Sequence, residues 1–240
     1  MKMKKLILTF DGGLKEGNVV SRPNQFTLIV DFSDSTERVY LANPGALTTV
    51  LSPGNKILCK PVKSKNRKTD FDAFAIEMGD IYAIVNSTFA DSIFSNILKR
   101  GLMEEFKKYS ILAREPPLPD RGRADFLLEN EIGNKTYIEV KSCTHVENEV
   151  AKFPDRPTER GRRHLRSLMV LKKNGFKSYV IFVVQRPDVK KFQAYRRVDP
   201  EFADLLKKSE EEGVEIRALS TEFRPPDLFL KNKDLPVELI

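Results

Sequence analysis

Residues 123–142 read RADFLLENEIGNKTYIEVKS, two apolar runs on either side of the polar stretch 131–134. That stretch predicts a hairpin, because strands place alternate side chains on opposite faces and short polar segments between them turn the chain. Ile138 and Val140 then point into a core, and Glu139 and Lys141 share the opposite face. A reversal around residues 131–134 sets Asp125 opposite Glu139, since the midpoint of the two is residue 132. Directly opposed side chains stand ~5 Å apart at Cβ. Two carboxylates that close cannot both ionise in a partly buried place unless a cation lies between them. Oxygen donors of this kind select Mg²⁺ or Mn²⁺. Asp125 and Glu139 are therefore candidate metal ligands, the Val140 carbonyl is a possible further one, and Lys141 is placed to assist an attacking water or a charged phosphoryl group. The competing reading is an exposed surface ion pair of small energetic consequence.

Outward from the hairpin, the chain divides. Residues 5 to about 85 contain short strand-like runs, KLILTF, EGNVVSR, FTLIVDF, ERVYLA, KILCKPV, FDAFAIEM and IYAIV, punctuated by NPG and SPGN. Such a run predicts a small antiparallel barrel, with the OB-fold the leading candidate. After Asn86 the period changes: residues 90–109 carry Ile93, Ile97, Leu98 and Leu102 at helical spacing, with Gly101 a breaker. Beyond the hairpin, residues 158–174 predict a helix and KSYVIFVVQ a buried parallel strand. Asp199 and Pro200 begin a third helix running to about Glu212, and EIRALS is the expected last strand. The expected fold is thus a two-domain α+β/α/β protein, with an OB-like β-barrel over residues 1–85 and an α/β domain over 86–240, packed directly together.

Lys and Arg outnumber Asp and Glu by 41 to 34, an excess that favours a polyanionic partner. Cys59 and Cys143 lie in apolar runs and read as buried thiols, suited to the reducing cytoplasm. With His145 and His164 the only histidines, no Cys/His zinc site can be assembled. The basic start MKMKKLILTF is too short in its apolar part for a signal peptide, and no run is long enough to span a membrane.

Two basic regions are candidate phosphate contacts. One is the helix over 158–174, through Arg160, Arg162, His164 and Arg166. The other is the loop KPVKSKNRK at 60–68, through Lys63, Lys65, Arg67 and Lys68, with Phe71 and Phe74 as possible stacking surfaces. A solvated helix face and a free charged loop are the alternatives. No helix-turn-helix, zinc finger or Gly-rich phosphate loop is present, so backbone contact with strong salt dependence is expected, with DNA as partner and RNA the alternative.

An aspartate, a hairpin and then E-x-K resembles the PD-(D/E)XK nuclease superfamily, although Ala124 and not Pro precedes Asp125. Over nearly the whole chain, NPGAL (43–47), RADFLL (123–128), YIEVKSCT (137–144) and FPDRPTERGRRHLRSLM (153–169) resemble the sugar fermentation stimulation protein family. That resemblance implies an OB-like domain joined to a PD-(D/E)XK-type domain, DNA binding and, in bacteria, regulation of maltose genes. Likeness to the nucleases also implies a glutamate from the helix before the first core strand, for which Glu105 is the first choice, with Glu104 and Glu115 behind it. Two functions follow: a metal-dependent DNA endonuclease, or a non-catalytic DNA-binding regulator on the same scaffold.

Overall fold

The structure is a computed structural model that describes residues 5–10, 13–62 and 67–239. Its elements, in chain order, begin with β1 (Lys5–Thr9), β2 (Lys15–Asn24), β3 (Thr27–Phe32), β4 (Ser35–Tyr40), β5 (Lys56–Pro61), β6 (Phe71–Met78) and β7 (Ile81–Ile84). There follow α1 (Phe89–Lys99), β8 (Tyr109–Arg114), β9 (Phe126–Asn130), β10 (Lys135–Cys143), β11 (Val146–Glu147), β12 (Val150–Phe153) and α2 (Glu159–Lys173). The chain continues through β13 (Lys177–Val184), β14 (Lys191–Ala194), α3 (Pro200–Glu211), β15 (Glu215–Arg224), β16 (Asp227–Asn232) and β17 (Val237–Glu238).

Alternation drives the barrel. Leu28, Val30, Phe32 and Val39 turn inward, while their strand neighbours face out. The strands run β4-β3-β2-β5-β6-β7, and a parallel β4–β6 pairing closes β2 to β6 into a five-stranded barrel, the arrangement of an OB-fold. KLILTF is not one of its strands, contrary to the sequence reading. As β1 it pairs antiparallel with β16 and completes the other sheet, because the barrel closes without it and Ile7 is buried in the core under α1.

That other sheet has seven strands in the order β1-β16-β15-β13-β10-β9-β8. Its centre, β10, β13 and β15, is parallel, and β13 is buried from Ser178 to Val184, as its unbroken apolar run requires. Helix α1 covers one face, where Ile93, Phe94 and Ile97 meet Phe126, Ile138 and Ile181. Helix α2 covers the other through Leu165 and Leu168, with α3 packed beside it. Each fully buried residue of this size contributes ~1.5–3 kcal/mol.

The helical pattern over 90–109 breaks at Gly101, as the sequence suggests, and only its first piece is an α-helix. It ends at Lys99, Gly101 takes a φ of 58° that only glycine adopts cheaply, and residues 109–114 become the edge strand β8. EIRALS is not the last strand either: β15 extends to Arg224 and returns as β16. A small sheet, β11-β12-β14-β17, borders the chain that leads into α2. Thr158 and Asp199 cap α2 and α3, accepting from Gly161 N at 3.0 Å and Phe202 N at 2.9 Å.

Barrel and sheet share one apolar cluster, in which Leu58, Phe74 and Ile84 pack with Phe94 and Phe223. Gln185 stitches them further, accepting from Ile84 N at 3.0 Å and donating to Asn86 O at 3.1 Å.

Candidate metal centre and nucleic-acid cleft

The hairpin register decides the site. Lys135 pairs with Glu129 and Ile138 with Phe126, so one further step sets Glu139 against Asp125, as the midpoint argument predicts. Asp125 Oδ2 accepts from Val140 N at 2.5 Å, which fixes the carboxyl across the end of β10. Ile138 and Val140 go to the core under α1, leaving Glu139 and Lys141 on the other face.

Both carboxylates, Val140 and Lys141 line a cleft of 520 Å³ between the barrel and the α/β domain. The same cleft takes in Asp91 from the first turn of α1, Asn43, Pro44 and Gly45 from the barrel, and Asp155, Arg156 and Arg160 from the chain entering α2. All four segments singled out in the sequence supply its walls, RADFLL through Asp125. Asp155 holds the two domains together at the rim: its Oδ2 accepts from Leu47 N at 3.0 Å. Glycine suits position 45, because a Cβ there would stand 2.6 Å from the Asp155 carboxylate and force it to move. Arg22 fastens the same barrel loop from behind, donating to the carbonyls of Gly45 and Ala46 at 2.8 Å each.

Electrostatics in the cleft are frustrated. Burial first, then the Glu139 and Asp91 charges, pushes the Asp125 carboxyl up to about 8. Burial and Glu139 push Asp91 up to about 6. Burial opposes ionisation of Glu139 as well, but Lys141 and His164 overcome it and hold this carboxyl below its ordinary value. Both donors reach the same oxygen: Lys141 Nζ and, at 2.6 Å, His164 Nδ1 contact Glu139 Oε1. Glu139 Oε2 is buried with no hydrogen-bond partner among the described residues. Such an orphan costs ~1–3 kcal/mol, and a cation supplies what it lacks. The donors are hard oxygens on opposed carboxyls, which fits a hard divalent cation. Among the described residues no group of three or more His, Cys, Asp or Glu side chains is placed to hold a metal ion, so a cation held by this acidic pair would complete its shell with backbone oxygen and water.

Several expected residues stand elsewhere. Glu105 is exposed on a 3₁₀ turn beyond the end of α1, and its charge is felt at Tyr179; Asp91 is the acid that α1 brings to the cleft. Glu104 pairs with Lys107 at 2.6 Å, and Glu115 is exposed. His164 is not a surface contact: it is 1% exposed and faces Glu139. Arg162 and Arg166 point at α3, where they meet Glu201 at 2.5 and 2.6 Å. Arg160 does face the cleft, joined by Arg156, and Arg121 and Arg123 are exposed beside Gly122, which sits over His164. The PDRGRAD segment preceding the hairpin could have signalled the last pair.

In the barrel loop, Lys63 and Lys65 lie outside the described residues. Arg67 pairs with Asp72 and lies 5.4 Å from the centre of the Tyr40 ring, and Lys68 is exposed. Phe74 is a core residue and Phe71 packs on Phe32 at 4.8 Å, so neither offers a stacking face; Phe26 and Tyr40 are the exposed aromatics of the barrel. Both cysteines are buried free thiols, pushed up to about 12 by burial. Among the described residues no helix is long and apolar enough to cross a membrane.

An OB barrel joined to an α/β domain, with an acidic pair and a lysine in the cleft between them, defines the class of protein. A model described as the SfsA N-terminal OB domain matches residues 20–85, and one described as the sugar fermentation stimulation protein RE domain matches residues 88–227. The chain belongs to the sugar fermentation stimulation protein family. It is 37% identical over 200 residues to the homolog of Methanothermobacter thermautotrophicus, covering 83% of this chain and 82% of that one. With a Clostridium botulinum homolog it shares 32% over 232 residues, 97% of each. The solved structure of Pyrococcus furiosus SfsA in complex with Ca²⁺ superposes with a TM-score of 0.91 at 31% identity, covering 98% of this chain and 99% of that one.

Proposed function

We propose that this chain is a DNA-binding phosphodiesterase of the PD-(D/E)XK kind, in which Asp125 and Glu139, with the Val140 carbonyl, hold Mg²⁺ or Mn²⁺. One observation carries the reading: two opposed carboxyls in an open cleft, one forced to keep its proton and the other with an orphaned oxygen. The Ca²⁺ complex of the Pyrococcus furiosus relative supports it, since Ca²⁺ selects the same oxygen donors. When bound, the cation supplies charge stabilisation at the phosphoryl oxygens and acidifies the attacking water. Lys141, in the cleft and two residues from Glu139, stabilises the charge that builds on the phosphoryl group. Asp91, near 6, is ionised at neutral pH and can accept the proton the water sheds. Arg156 and Arg160 bind the flanking phosphates, and the barrel wall at 43–45 sets the depth to which DNA enters.

The test is incubation with labelled duplex, branched and single-stranded DNA, and with RNA, in Mg²⁺, Mn²⁺ or EDTA. Cleavage of at least one DNA that EDTA abolishes is expected. DNA binding with no cleavage under any of these conditions supports the regulator instead.

A further inference from the structure

We infer that His164 is a positioning residue for the cation, holding Glu139 by one oxygen so that the other is kept for the ion. The inference rests on the metal-centre reading above. His164 is in the first half of α2, 1% exposed, with its ring carried to the back of the acidic pair by Leu165 and Leu168, which anchor the helix on the sheet. Its two ring nitrogens have different partners. Nδ1 lies 2.6 Å from Glu139 Oε1, and Nε2 accepts from Arg160 Nε at 3.5 Å. A cationic guanidinium cannot accept a hydrogen bond, so the nitrogen facing it carries the lone pair and Nδ1 carries the proton. The chain of bonds therefore runs from a rim arginine, through one tautomer of the imidazole, to the carboxylate.

This arrangement explains why both donors to Glu139 converge on Oε1 while Oε2 has no partner. A surface ion pair would satisfy the carboxylate from Lys141 alone and leave its rotation free. A buried imidazole behind it removes that freedom and fixes which oxygen is presented. Packing allows little alternative, since a Cβ on Gly122 would lie 3.2 Å from Nε2, so the loop bearing Arg121 and Arg123 closes over the ring. Partners that orient a ligand in this way typically change metal affinity by ~10–100-fold when removed.

Mn²⁺ titration by calorimetry, without DNA, separates positioning from packing. Asparagine can place an N–H near the position of Nδ1, while glutamine carries its N–H further out, towards Nε2. His164→Asn should bind Mn²⁺ within a few-fold of wild type, and His164→Gln and His164→Ala should each lose ~10-fold or more. Thermal unfolding in EDTA should rank the three variants differently, because a merely structural ring would be replaced best by whichever side chain fills its volume. Equal Mn²⁺ affinity in wild type and His164→Ala overturns the inference while leaving the metal centre standing. Mn²⁺ binding that survives unchanged in Asp125→Ala overturns the metal centre itself, and the inference with it. If affinity follows thermal stability across all three variants, the role of His164 is packing alone.

Discussion

Replacing Asp125 by Asn should make the metal-free protein more stable at alkaline pH, an unusual result for a residue placed at the centre of the site. The Asp125 carboxyl lies at about 8 in the folded chain, against an ordinary 3.8. A raised carboxyl means that the folded state binds its proton more tightly than the unfolded state does. Stability is therefore undiminished below the unfolded value, falls as pH rises between the two, and stays low above the folded one. At ~1.4 kcal/mol per pH unit the full interval sets a ceiling of roughly 5–6 kcal/mol. Water in the open cleft and relaxation of the carboxyls reduce this to ~2–3 kcal/mol. Asparagine keeps an oxygen for Val140 N and removes the charge. Urea denaturation in EDTA at pH 5, 7 and 8.5 measures the effect. Wild-type stability should fall across this series, and the Asp125→Asn curve should be flatter by ~2–3 kcal/mol. Parallel curves would refute the claim that these carboxyls are in conflict.

On the proposed reading Lys141→Ala should lower metal-dependent cleavage by ~10²-fold or more in single-turnover assays while leaving DNA affinity within a few-fold, because its ammonium would act on charge that develops in the transition state. Arg156→Ala and Arg160→Ala should each weaken DNA binding and reduce the slope of log affinity against log salt by ~0.9, whereas Arg162→Ala and Arg166→Ala, engaged with Glu201, should leave the slope unchanged. Asp155→Ala should destabilise the protein by ~1–3 kcal/mol in chemical denaturation, since Leu47 N loses its acceptor where the barrel meets the cleft.

The acidic pair was legible because a hairpin is local: two alternating runs and one polar turn fix the register by counting, and the register puts Asp125 beside Glu139. The caps Thr158 and Asp199 and the buried strand β13 were legible for the same reason, each being a pattern within a few residues. What failed depends on distant partners. Arg162 and Arg166 look like a phosphate stripe until α3 brings Glu201 across, 39 and 35 residues away. His164 looks like part of the same basic face until the sheet places Glu139 behind it. Asp91 resembles any acid in the first turn of a helix, while Glu105, the acid that the nuclease likeness favours, sits past the Gly101 break on a separate exposed turn. Strand β1 reads as a barrel strand because its apolar pattern is correct for either sheet, and only its pairing with β16, more than two hundred residues later, decides.

The central claim is that Asp125 and Glu139 together hold a divalent cation, and Mn²⁺ calorimetry at pH 7 in buffers of different ionisation enthalpy tests it most directly. A carboxyl near 8 is protonated at that pH and must release its proton to become a ligand, so the account predicts roughly one proton released per Mn²⁺ bound. Asp125→Ala should lose both the high-affinity binding and the proton. Binding with no proton released, or equal affinity in the variant, would contradict the account.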